Sequence, residues 1–138
     1  ILLTGAKWML AAEFFEKFEE NKKISENFQI FWFDSSEMDI TKPEEIEKKI
    51  FIIQPDIILN FAAYTNVDDA EDVWEELNLA VNADWVKNLA EISWKNWIDF
   101  ITISTDFVFD WENKNWYSEN DFQNPINKYW FAKFLWEK

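Results

Sequence analysis

The chain contains no cysteine, no histidine and no arginine, and only one glycine among its 138 residues. Lack of cysteine excludes disulfides, thiolate nucleophiles and thiolate metal centres, and is compatible with a cytoplasmic location. Lack of histidine excludes Ser-His-Asp hydrolysis and the commonest zinc ligand. Its 13 basic side chains, all lysine, face 27 acidic ones, giving a net charge of −14, so a nucleic-acid backbone or an anionic membrane surface is repelled. No apolar run reaches the roughly eighteen residues of a membrane span. The opening "ILLTGAK" has no basic start, no long apolar stretch and no small-residue cleavage site, which argues against a signal peptide. Without an initiating Met, the chain reads as trimmed at both ends.

What is abundant is hydrophobic and aromatic: 49% and 20% of the residues, with ten tryptophans. The length and apolar fraction suit one folded domain with a real core. An average protein of this length holds about ten glycines. The single glycine and the ten tryptophans together make up that number, as if each tryptophan stood at a glycine position.

Strand-like and helix-like segments alternate, which predicts an α/β fold with a parallel sheet. "ILLT" and "FQIFWF" read as strands, and "DSSEMDI" as a brief further one. "DIILNFAA" and "DFITIST" are near-continuous apolar runs expected of central strands covered on both faces. The helix "WMLAAEFFEKFEEN" would turn Met9, Leu10, Phe14, Phe15 and Phe18 inward. In "TKPEEIEKKIFII" the pattern predicts Thr41 as cap, Pro43 in the first turn and Glu44 closing a capping box. A longer helix across "EELNLAVNADWVKNLAEISWKN" would bury Leu77, Ala80, Val81, Leu89 and Ile92. A long loop then leads to a last helix, "KYWFAKFLWEK".

"TGAKWMLAAE" joins the first strand to the first helix and has the form of a phosphate-cradling turn, G-x-x-G-x-x-G/A, with Gly5 first and Ala11 at the third place. Trp8 holds the middle place, where bare backbone should approach a pyrophosphate. Other tryptophans also fall where glycine is wanted. Trp97 follows a helix end, and Trp111 and Trp116 complete what would be the turn dipeptides Asp-Gly and Asn-Gly. The competing reading, core aromatics, predicts buried faces at regular spacing instead. A gene whose UGA codons mean glycine in its source, translated as tryptophan, would produce the pattern.

"AAYTNVDDAE", then "STDFVFD", then Tyr-x-x-x-Lys at Tyr129 and Lys133, together with "MDIT" and "AVNADWVKNLAE", run the length of the chain in order. In these motifs the chain resembles the extended short-chain dehydrogenase/reductases, within them the dTDP-4-dehydrorhamnose reductase family. The resemblance implies a Rossmann-like doubly wound parallel sheet, with residues 1–138 as an NAD(P)-binding domain that lacks the smaller C-terminal, substrate-binding part.

It also implies catalysis by Thr105, Tyr129 and Lys133, with NADH or NADPH as cofactor. Lys133 would lower the phenol pKa of Tyr129 and hold the nicotinamide ribose. Thr105, at a strand's carboxyl edge, would donate to a substrate carbonyl oxygen, and Asp106 would touch substrate. The cofactor would meet Gly5, Trp8, Met9 and Leu10 at its pyrophosphate, Asp39 and Ile40 at its adenine, and Ala62, Ala63, Tyr64 and Thr65 after the "DIILN" strand. Asp34, after the second strand, either takes ribose hydroxyls, which favours NADH slightly, or is a solvated loop residue. The expected substrate is a small nucleotide sugar, dTDP-4-dehydro-L-rhamnose, reduced at its 4-keto group. Two rivals share the pattern: an epimerase or dehydratase of the same family, and a non-catalytic regulatory subunit on the same fold. A homodimer stays open. The acidic run Asp68, Asp69, Glu71, Asp72, Glu75 and Glu76 lacks calcium-loop spacing and suits a helix start, so no metal is expected.

Overall fold

The computed structural model describes residues 1–63, 78–114 and 116–137. The chain divides into two compact units, Ile1–Ala63 with Asn88–Ile103, and Tyr64–Lys87 with Ser104–Lys138.

The first unit is built on a wholly parallel four-stranded sheet. Its strands are β1 (Leu2–Thr4), β2 (Phe31–Phe33), β3 (Ile57–Asn60) and β4 (Asp99–Thr102), in the order β2-β1-β3-β4. Leu2, Leu3, Ile58 and Leu59 are buried along β1 and β3, as the apolar runs predict. β4 is different. Among the described residues it forms a sheet edge, and its residues alternate between exposed and half-buried, with Ile101 exposed.

Helix α1 (Met9–Glu20) buries Ala11 and Phe18, and Phe14 and Phe15 are half-buried. Phe14 meets Phe61 edge-on at 5.6 Å. Met9 and Leu10, expected inside, are exposed, Met9 by 83%. Met9 lies in the first turn on the side away from the stripe formed by Ala11, Phe14, Phe15 and Phe18, and Leu10 sits at the edge of that stripe, four residues before Phe14. A short α2 (Lys22–Ser25) follows.

"DSSEMDI" is not a strand. Met38 and Ile40 are buried from turn conformation instead. Asp39 accepts the Thr41 N–H at 3.0 Å, and Glu45 accepts the Asp39 N–H at 3.0 Å. That bridging replaces the expected capping box: α3 (Pro43–Ile53) is capped by Lys42 without a side-chain bond, with Pro43 in its first turn.

The division between the units falls inside α4 (Trp85–Lys95). Val81, Leu89 and Ile92 are buried as expected, Ala80 is half-buried, and Leu77 lies outside the described residues. In the second unit a π-helical turn, Ala80–Asp84, precedes α4, a short 3₁₀ turn spans Asp106–Val108, and α5 covers Lys128–Trp136. Among the described residues no helix is long and apolar enough to cross a membrane.

Candidate functional site

The β1–α1 turn is shaped by its main chain. Gly5 has φ +76°, and a Cβ there would lie 2.5 Å from the Ala62 nitrogen and 2.6 Å from the Phe61 carbonyl carbon. Only glycine satisfies both demands. The Gly5 carbonyl accepts the Trp8 N–H at 2.9 Å, so Trp8 becomes the N-cap of α1, with no side-chain cap bond. Its indole is half-buried against the cluster of Leu3, Ala11, Leu59 and Phe61.

Beneath this turn lies a polar knot that sequence reasoning missed. Asn60 is buried at the end of β3, and its Oδ1 accepts from the Thr4 hydroxyl and from the Ala62 N–H at 3.2 Å. Its Nδ2 donates to Thr102 Oγ1 at 3.0 Å. One side chain thus ties β1, β3 and β4 together and fixes where the chain leaves β3. An asparagine interrupting the run "IILNFAA" was the available signal.

Asp34 follows β2 directly. Its carboxylate pairs with the Lys7 ammonium and accepts the Ser36 N–H at 2.7 Å. Lys7 and then Ser36 hold that carboxyl well below the usual range. Lys7 and Asp34 line a surface cavity of about 660 Å³ with Ala6, Phe15, Trp32 and Glu37. Lys7 went unmarked in the sequence because it fills a variable place of the loop motif. Asp39 and half-buried Ala62 and Ala63 lie in this unit with buried Ile40. Tyr64, Thr65 and the acidic run Asp68–Glu76 lie outside the described residues.

The second unit brings Thr105, Asp106, Tyr129 and Lys133 onto two elements. Thr105 caps the 3₁₀ turn, its Oγ1 accepting the Phe107 N–H at 3.3 Å. Thr105 and Asp106 line a cavity of about 410 Å³ with Tyr117, Ser118, Gln123 and Glu137.

Helix α5 begins at the N-cap Asn127, whose side chain accepts the Trp130 N–H at 2.8 Å. Its first turn is also gripped from outside. Buried Asn78 donates to the Lys128 carbonyl at 3.0 Å and accepts from buried Asn82 at 2.7 Å. Tyr129 and Lys133, four apart, share one helix face.

Lys133 is 6% exposed, and its ammonium has no hydrogen bond or ion pair to any described residue. Burial lowers its pKa to about 8. Tyr129 behaves contrary to the expectation of a lowered pKa: burial pushes its phenol up. The physical reason is that the phenol loses water without gaining a hydrogen bond from Lys133, so its neutral form is favoured.

The model of the RmlD substrate binding domain family matches residues 1–138. The chain belongs to that family. Relatives include the dTDP-4-dehydrorhamnose reductase of Aggregatibacter actinomycetemcomitans, 32% identical over 96% of this chain and 44% of that protein. The enzyme of that name from Mycolicibacterium smegmatis is 32% identical over the whole chain and 40% of its own length.

Among solved structures, a dTDP-4-dehydrorhamnose reductase from Clostridium acetobutylicum superposes with a TM-score of 0.89 at 32% identity, over 99% of this chain and 46% of that one. The enzyme from Bacillus anthracis, solved in complex with NADP, gives 0.87 at 32% identity, with the same coverage of both chains. The chain therefore spans less than half the length of these relatives. A Rossmann-like α/β sheet is what it shares with the solved members.

Proposed function

We propose that residues 1–138 form the dinucleotide-binding part of an NAD(P)H-dependent reductase that converts dTDP-4-dehydro-L-rhamnose to dTDP-L-rhamnose. The observation that carries this reading is Lys133, a buried ammonium without an acceptor among the described residues, one helical turn from a phenol that burial keeps protonated. A buried charge is costly unless something pairs with it. The hydroxyls of a nicotinamide ribose would fill that need.

The fit of a dinucleotide to the residues present is good at two places. Gly5 leaves its turn without a Cβ where none can fit, and Lys133 offers a buried cation with no acceptor among the described residues. Trp8 is the exception. Gly5, Met9 and Leu10 would hold the diphosphate beside Trp8. Lys7 and Asp34 would meet the adenosine ribose, and Asp39, Ile40, Ala62 and Ala63 would line the remainder, as the resemblance also expects of Tyr64 and Thr65. Because Lys7 neutralises Asp34, the slight preference for NADH expected from Asp34 alone disappears, and either cofactor serves.

The bound cofactor supplies the hydride that the C4 carbonyl carbon receives. Tyr129, held protonated, gives its proton to the carbonyl oxygen and completes the alcohol. Lys133 favours the phenolate left behind. Thr105 donates from its hydroxyl to the oxygen while negative charge develops there, and Asp106 contacts the sugar nucleotide. Incubating the full-length protein with dTDP-4-dehydro-L-rhamnose and NADPH tests the proposal. One reduced cofactor should be consumed per sugar reduced. Turnover with cofactor recycled would point to an epimerase, and no turnover to the regulatory subunit.

A further inference from the structure

We infer that positions 97 and 111 are glycine in the protein as its own cell makes it, and that position 8 is a third such site. At position 97 the backbone alone carries the case. The Ile98 N–H donates to the Ser93 carbonyl at 3.0 Å and the Trp97 N–H to the Trp94 carbonyl at 3.3 Å. This is the paired-bond termination of a helix whose C′ residue must be left-handed. Trp97 sits at that C′ position with φ 58°. Its indole gains little in exchange: it is 92% exposed and stacks on Trp94, itself 80% exposed.

Position 111 repeats the logic in a turn. Asp110 Oδ1 accepts the Glu112 N–H at 3.1 Å, and the residue between them has φ 62°. Asp followed by a left-handed residue is the setting in which glycine is preferred. Trp111 is 54% exposed. Gln54 also adopts a positive φ, as the cap of α3, so the region is not closed to side chains. A bulky aromatic there, however, is a true outlier. Among the described residues the positive-φ positions are Gly5, Gln54 and two tryptophans, in a chain holding one glycine and ten tryptophans.

At position 8 the evidence is of another kind. An indole cannot accept the orphan N–H groups of α1, and none of its atoms does so. The role of position 8 in ligand binding rests on the dinucleotide reading above, whereas positions 97 and 111 do not.

Two measurements on the full-length protein test the inference. Glycine introduced at an ordinary exposed site lowers stability because the unfolded chain gains freedom. At a left-handed site the sign reverses. Trp97→Gly and Trp111→Gly should each raise Tm, by roughly 2–8 °C, and a fall in either overturns the assignment at that site. Peptide mass spectrometry of the protein from its native host should read glycine at 8, 97 and 111, and tryptophan at 97 or 111 overturns the inference regardless of stability.

Trp8→Gly should tighten NADPH at least about tenfold. If 97 and 111 prove to be glycine while NADPH binds neither form, the inference stands and the dinucleotide reading falls.

Discussion

The two units place chemistry by opposite means. In the first, the β1–α1 turn is set by main chain: Gly5 lies against the backbone of Ala62, and Asn60 ties three strands beneath it. In the second, the groups proposed to react are side chains on α5 and on the turn after β4, on elements capped by Asn127 and Thr105. A backbone-built site cannot be altered without disturbing the fold that makes it. A site of projecting side chains can lose its chemistry and keep its shape. Substitutions in the two units should therefore separate loss of fold from loss of activity.

The largest effect belongs to the second unit. Tyr129→Phe removes one hydroxyl from a half-buried ring that forms no hydrogen bond with any described residue. Turnover should fall by about 10²–10⁴-fold, with Tm and cofactor affinity close to those of the parent. Steady-state kinetics beside a thermal melt checks both halves, and a loss of Tm matching the loss of rate would make Tyr129 structural.

Gly5→Ala should do the reverse. Its new Cβ would meet the backbone of Phe61 and Ala62 well inside contact distance, and its φ is unfavourable for alanine. Destabilisation by more than about 2 kcal/mol is expected, measured by urea unfolding, and dinucleotide binding should fail together with the fold. Asn60→Leu comes next. It leaves the Ala62 N–H and the Thr4 and Thr102 hydroxyls without their partner, for a cost of about 1–3 kcal/mol. Unfolding in urea gives that number, and Tyr129→Phe on the same scale gives the contrast.

This division also explains what could be read in the sequence. Repeating features were legible: the apolar runs of β1 and β3, the helical stripe of α1, and the i, i+4 placement of Tyr129 and Lys133 all depend on local spacing. Features set by a single long-range contact were not. Nothing near Asn60 announces that Thr4 and Thr102 will lie beside it, and Asn78 gives no sign that it will hold the start of α5. The helix cap expected at Thr41 and Glu44 was misplaced because Glu45 reaches back to Asp39 instead. The pKa of Tyr129 was misjudged because spacing along a helix tells which groups share a face, but not how much water each one loses.

The smallest effect turns that last point into a measurement. Burial depresses the Lys133 pKa from 10.5 to about 8, so below pH 8 the ammonium is charged in both folded and unfolded chains, and its desolvation weakens the fold. As pH rises from 8 toward 10.5 the folded protein gives up this proton before the unfolded chain does. The unfolded state then binds more protons, and stability rises with pH. Tyr129 acts oppositely only above its own ordinary value of 10.0, since its folded pKa is raised. The window between pH 8 and 10 therefore isolates Lys133. Without cofactor, the parent should gain stability there relative to Lys133→Met, which is expected to be the more stable protein at pH 7. Saturating NADPH should reverse the parent's trend, because a ligand held by the ammonium is released as the charge is lost. A parent and variant with parallel pH profiles, with and without NADPH, would mean that Lys133 is neither strained in the free protein nor engaged by the cofactor. The second unit would then lose its claim to the chemistry assigned to it.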